Sequence, residues 1–185
     1  MNSITKMAQI LDKPTYNLII NSSDKISGTN NNATFQINWD DFLPRKFNMY
    51  KVIFSFQTTG GYYKDNTATP IVYSAGKVYI NTLGRSFSFD TSTKSPSTML
   101  GIIQRDIQTT TSSSNCLSCF YLQNAPRTIS RPNQNLITIQ IYNTYTGQLL
   151  TNTDNSANSV PTADMTSWTM LLDLIPVDQD EDPVK

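Results

Sequence analysis

The sequence predicts an all-β domain, a sandwich or jelly roll of about eight strands. Three observations carry that reading. First, Ser, Thr and Asn supply about a third of the 185 residues and the only Glu is Glu181, while Tyr, Phe and Ile are plentiful. Charged helix formers are thus scarce and β-branched and aromatic residues abundant, a balance that favours strands and loops. Second, apolar residues recur at every other position in one short run after another. That is the period at which a strand turns one face to the core and the other to water. Third, polar, turn-rich separators divide the runs, and no repeat of longer period suggests a propeller or solenoid.

The runs follow in chain order. YNLIIN places Tyr16, Leu18 and Ile20 on one face, and ATFQINW places Phe35, Ile37 and Trp39 on one face of a second strand. The polar segment between them, SSDKISGTNNN, is longer than a tight hairpin needs. YKVIFSFQ aligns Tyr50, Val52, Phe54 and Phe56; GKVYINTL aligns Val78 and Ile80; RSFSFDTS aligns Phe87 and Phe89. SPSTMLGIIQRDIQ breaks the pattern. Ser95 stands as an N-cap, Pro96 at the first helical position, and Leu100, Ile103 and Ile107 at helical spacing, so one short helix is predicted over 97–107. CLSCFYLQ then aligns Phe120 and Leu122, NLITIQIYN aligns Ile137, Ile139 and Ile141, and SWTMLLDLIPV aligns Trp168, Met170, Leu172 and Leu174. Phe54, Phe87, Ile139 and Trp168 are central in their runs and are expected to point inward. Residues 109–115 and 151–164 read as polar loops. An arm over 1–14 precedes the domain (15–177), and an acidic tail, 178–185, follows it.

Little of this sequence offers chemistry. Fourteen basic and fourteen acidic residues leave no net charge, so no strong field points to nucleic acid or an anionic membrane. MNSITKMAQILDKP has no sustained apolar core of the secretory kind, and no run approaches the roughly 20 apolar residues that span a bilayer. Sequons at Asn21 and Asn32 read as chance matches in an Asn-rich chain. The chain has no His, which removes the Ser-His-Asp and Cys-His arrangements and most metal sites. Cys116 and Cys119 form a CxxC with no second ligand pair, and on a strand they face opposite ways, so they read as packed thiols. Asp40 and Asp41, just before Pro44, read as a solvated turn. No Gly-rich phosphate loop opens a helix. Catalytic residues, a metal and a cofactor are therefore not expected, nor is enzymatic function.

Two segments remain as candidate contact sites. Tyr62, Tyr63 and Lys64, after Gly60 and Gly61, suit either a stacking platform or a loop tip that meets another subunit. Arg127 and Arg131, in APRTISRP, are spaced for an extended chain; they suit either bidentate pairing with a neighbour's carboxylates or an ordinary exposed loop.

LIINSSDKISGTNNNATFQI resembles the opening of single jelly-roll minor capsid, or penton, proteins of polinton-like viruses, virophages and related large eukaryotic DNA viruses. Their first strand ends in a Ser-Ser-Asp-basic turn, followed by Gly, Asn and Thr residues and a Phe-containing strand. Here those residues are Ser22, Ser23, Asp24, Lys25, Gly28 and Phe35. The likeness runs on through YKVIFSFQTTGGYYKD and RSFSFDTSTKSP to WTMLLDLIPV, nearly the whole domain. It implies an eight-stranded single jelly roll of two four-stranded antiparallel sheets, with the opening pair of strands one in each sheet and SSDKISGTNNN crossing between them. It also implies a virion structural protein: a homopentamer closing each five-fold vertex of an icosahedral capsid, beside trimers of a double jelly-roll major capsid protein. No nucleic acid and no membrane insertion enter that role, and the arms are expected to order against capsid neighbours. Two other readings stay open. One is a minor capsid protein beneath or between the facets; the other is a carbohydrate-binding sandwich that stacks sugars on Trp39, Tyr62 and Tyr63.

Overall fold

The structure is a computed structural model, and it describes residues 14–58, 64–65, 72–73, 75–80, 89–90, 95–96, 98–105, 117–119, 126–144, 147–151 and 164–177. The two-residue alternation in the sequence becomes the burial pattern of the strands. β1 (Tyr16–Asn21) buries Ile20 and leaves Asn17 and Ile19 to solvent; β2 (Ser27–Thr29) is exposed throughout; β3 (Asn32–Gln36) buries Ala33 and Phe35. β4 (Met49–Thr58) buries Tyr50, Val52, Phe54 and Phe56 on its core face, in the predicted register. Four short strands follow in sequence around β7 (Gly76–Ile80): β5 (Lys64–Asp65) and β6 (Val72–Tyr73) before it, β8 (Phe89–Asp90) and β9 (Ser95–Pro96) after it. The remaining strands are β10 (Met99–Arg105), β11 (Leu117–Cys119), β12 (Arg127–Ser130), β13 (Leu136–Asn143) and β14 (Trp168–Pro176). β14 alternates throughout: Trp168, Met170, Leu172 and Leu174 are all buried, and the residues between them half-buried.

All pairings are antiparallel, and they form two layers. One sheet runs β1–β14–β4, with β11 and β12 end to end along the far edge of β4; the other runs β10–β7–β13–β3–β2. β10 belongs to both. Its residues from Met99 to Ile103 pair with β7, then Gln104 and Arg105 pair with Ser118 and Leu117 of β11, closing one side of the sandwich. Successive long strands alternate between the layers except at β7–β10, which is the order of a jelly roll. The opening pair does fall one strand in each sheet: β1 pairs β14 and β3 pairs β13. The crossing itself is shorter than SSDKISGTNNN. A 3-10 turn at Ser22–Asp24 makes it, and β2 is already hydrogen-bonded to β3 through a two-residue turn, Asn30-Asn31. Gly28 in β2 has φ 88°, and a Cβ there would lie 2.1 Å from the Asn32 carbonyl oxygen, so only Gly fits.

Three expectations need correction. Among the described residues the sandwich has ten strands rather than eight, because β2 extends one edge and the strand lining β4 is split into β11 and β12. RSFSFDTS supplies no sandwich strand among the described residues: Phe89 and Asp90 pair only with Pro96 and Ser95, in a separate ribbon. Phe87, Phe120, Leu122, Cys116 and the polar loops of 109–115 and 152–163 lie outside the described residues. The predicted helix over 97–107 is instead β10. Its register with β7 shifts between Met99 and Gly101, so Leu100 is an extra residue. A bulge of this kind resets the alternation. Leu100 and Ile103 are then both buried at a spacing of three, which imitates a helix. The one α-helix among the described residues is a single turn, α1 (Trp39–Phe42). Trp39 is buried as expected, but β3 stops at Gln36. Asp40 and Asp41 sit in the helix's first turn, where acids favour it, and Pro44 follows its end.

The topology sorts the connections between two ends. β1, β4, β10 and β13 all finish at one end, the loop end, so the connections 22–31, 59–75, 106–116 and 144–167 start there. The chain enters β1 and leaves β14 at the other, the terminal end, where 37–48 and 131–135 also lie.

The core leaves no room for a side chain at Gly76, where an added Cβ would meet Ile103 Cγ1 at 2.8 Å and Ile141 Cγ2 at 3.1 Å. Gly76→Val is expected to destabilise the fold by about 1–3 kcal/mol, read as a shift in denaturant midpoint at unchanged slope.

Candidate functional site

The described polar side chains concentrate in two constructions, one at each end. At the loop end the Asn run that closes the β2–β3 turn is built into the structure rather than solvated. Asn31 is 1% exposed. Its Nδ2 donates to Leu150 O at 2.9 Å, its Oδ1 accepts from Thr29 Oγ1 at 2.6 Å, and its backbone N donates to Asp164 Oδ1 at 3.2 Å. Asn30 Nδ2 donates to Met165 O at 2.9 Å, and Asn30 O accepts from Trp168 Nε1 at 2.7 Å. Lys25 Nζ reaches Asn30 Oδ1 at 2.9 Å and Ser22 O at 3.3 Å, and Ser22 Oγ accepts from Trp168 N at 2.9 Å. Of the residues that carried the capsid-protein resemblance, Ser22, Ser23 and Asp24 form the 3-10 turn of the crossing, Lys25 follows it, Gly28 stands in β2 and Phe35 is buried in β3.

At the terminal end the construction is ionic. The Asp40 carboxylate takes one arginine on each oxygen: Arg131 on Oδ1, and Arg45 on Oδ2 at 2.6 Å. Arg131 also donates to Leu43 O at 3.1 Å, and its backbone N donates to Asn48 O at 2.7 Å. Side-chain hydrogen bonds from Arg45 and then Arg131 hold Asp40 below its ordinary value of 3.8, and Asp40 in turn raises Arg45. The two pairs differ in weight. The Arg45 side chain is 80% exposed, so water screens it, whereas that of Arg131 is 18% exposed and tied to backbone as well. Tyr50 lies beneath, its hydroxyl donating to Pro44 O at 3.2 Å and pushed up by burial. Trp39 Nε1 donates to Gln134 O at 2.8 Å, tying α1 to the segment before β13.

The sequence candidates divide accordingly. Tyr62 and Tyr63 lie outside the described residues, and Lys64 is described only as the backbone start of β5. Arg127 begins β12 in register with Val52, and Arg131 follows the strand. Asp40, read as part of a solvated turn, is the ionic centre, and its partner Arg131 is 91 residues away. Asn30 and Asn31 were missed because an Asn run reads as turn chemistry; the one available signal was their place directly before an inward-alternating strand. Trp39 is 1% exposed and cannot stack a sugar. Cys119 is buried in β11, its Sγ 4.0 Å from Phe54 O, as expected of a packed strand cysteine. Among the described residues no three His, Cys, Asp or Glu side chains gather as metal ligands, and no helix is long and apolar enough to cross a membrane. In comparisons with family models, curated proteins and solved structures, nothing matches the chain.

Two measurements check these constructions. Asn31→Ala strands the buried Leu150 carbonyl and is expected to cost about 1–3 kcal/mol in equilibrium unfolding. For Asp40 the sign follows from its lowered value: its contribution is present above the ordinary carboxylate value and is lost as pH falls through the lowered one. The stability difference between the native chain and Asp40→Asn should therefore be larger at about pH 6 than at about pH 3. An unchanged difference would show that the Asp40 ion pairs contribute nothing.

Proposed function

We propose that the chain is a structural virion protein, a penton subunit that forms five-fold rings at the vertices of an icosahedral capsid. The observation that carries this reading is the jelly-roll strand order with its segregated ends. Four connections spring from one end, and both the entering and leaving chain lie at the other. Jelly rolls of this order serve as capsid domains, among other uses. The residues of the resemblance also occupy positions that determine this topology, as Gly28 and the Ser22–Trp168 bond illustrate. A ring of identical subunits needs a heterologous contact, in which each copy offers two unlike surfaces. Strand connections that spring from one end of the sandwich, and a chain that enters and leaves at the other, suit that requirement.

The test is to express the chain with its capsid partner proteins and image the particles. Density for this chain at the five-fold positions is the expected result, and density beneath or between facets would overturn the vertex assignment. Deleting 1–14 and 178–185 should leave the thermal transition of the sandwich nearly unchanged while lowering incorporation into particles. Normal incorporation of the trimmed chain would pass the connecting role to the loops.

A further inference from the structure

The end of the sandwich where the chain leaves β14 carries a cationic ledge. Val177 N donates to Met49 O at 3.0 Å, so the chain departs against the start of β4. Asn48, Phe47, Lys46 and Arg45 precede Met49 along the same end. Lys51 stands on the outer face of β4 in register with Ile175, two residues before the exit. Arg45 and Lys46 are exposed, and Lys46 Nζ is held 4.9 Å from the centroid of the Phe47 ring. The described carboxylates nearest in sequence are Asp40, already shared by Arg45 and Arg131, and Asp41. Among the described residues neither Lys46 nor Lys51 has an ion-pair partner.

The sequence that continues from this exit is DQDEDPVK, in which Asp178, Asp180, Glu181 and Asp182 are all acidic. We propose that this acidic segment folds back onto the ledge of Arg45, Lys46 and Lys51 of its own chain. An extended strand advances about 3.3 Å per residue, so five residues reach over roughly 16 Å from Val177. Exposed ion pairs are individually weak, but a tethered segment meets its site at a high effective concentration. The ledge is thus a surface for acidic peptides, and this chain supplies the nearest one. The inference does not depend on the capsid reading.

Zero-length carbodiimide coupling of the full chain tests it, since it joins a carboxylate to an amine only where the two are in contact. Lys25 and Lys77, at the loop end, serve as internal controls. Mass spectrometry should find residues 178–182 joined to Lys46 or Lys51, in chains of monomeric mass, at least about fivefold more often than to Lys25 or Lys77. That excess should shrink severalfold in about 1 M salt, where charges are felt over only about 3 Å. Arg45→Gln keeps both amines and should lower the coupling. Equal coupling to the loop-end lysines, indifference to salt, or links confined to covalent dimers would each overturn the proposal. The last outcome would seat the segment on a second copy.

Discussion

The structure depends on one side chain more than any other: Trp168, at the start of β14. Its ring lies against Phe56 of β4 in one sheet, centroids 5.3 Å apart, and against Phe35 of β3 in the other, 5.9 Å apart. Its backbone N and its indole N–H bind Ser22, where the crossing between the sheets begins, and Asn30, in the β2–β3 turn that follows it. Away from β10, which pairs with strands of both sheets, the layers are fixed by side-chain packing and by the crossings. Trp168 contributes to both. A buried indole must also place its N–H. Here the acceptor is the carbonyl of Asn30, so the aromatic core and the polar crossing specify one another.

That coupling explains what could be seen in the sequence and what could not. Period-two alternation is local, and so β1, β4, β7, β13 and β14 were legible down to the core face, with Phe54, Ile139 and Trp168 buried as expected. β10 was not legible, because its bulge places Leu100 and Ile103 at helical spacing, and only pairing with β7 shows that the chain is extended. The polar constructions were less visible still. Asp40 and Arg131 are 91 positions apart, and Asn31 and Leu150 are 119 apart. Nothing local marks such partners, since the fold creates the pairing. Arg131 was recognisable as a residue suited to a carboxylate; which carboxylate it takes was not.

The two ends are held by different physics. The loop end uses mainly amide and hydroxyl groups around Asn30 and Asn31, joined by the Lys25 ammonium and the Asp164 carboxylate, each bonded to neutral partners rather than to an opposite charge. Such bonds depend little on ionic strength or on pH in the neutral range. The terminal end uses guanidinium and carboxylate groups, which salt screens and acid titrates. High salt therefore acts unequally on the molecule: it loosens the ion pairs at the end where the chain enters and leaves more than the amide bonds around Asn30 and Asn31.

The lateral sides are unlike as well, and this bears on assembly. On one side β10 pairs with strands of both sheets, so no described strand edge lies open between them. On the other, β1 and β2 are the outermost described strands of their sheets. Open strand edges invite pairing with another chain, and proteins blunt them by making them short or polar. β2 is three residues long, Ser27–Thr29, and exposed throughout; β1 presents Asn17 toward solvent, bound to Asp173 at 2.6 Å, but also Ile19, 64% exposed. β2 is therefore blunted and β1 only in part. A closed ring needs one surface of each copy to meet a different surface of the next. A sandwich with one closed side and one partly open side has two unlike flanks before any loop or arm is counted. In the proposed five-fold ring, the β1 flank of one subunit would meet the β10–β11 flank of its neighbour. The exposed Ile19 would then be covered by the contact rather than left as a liability.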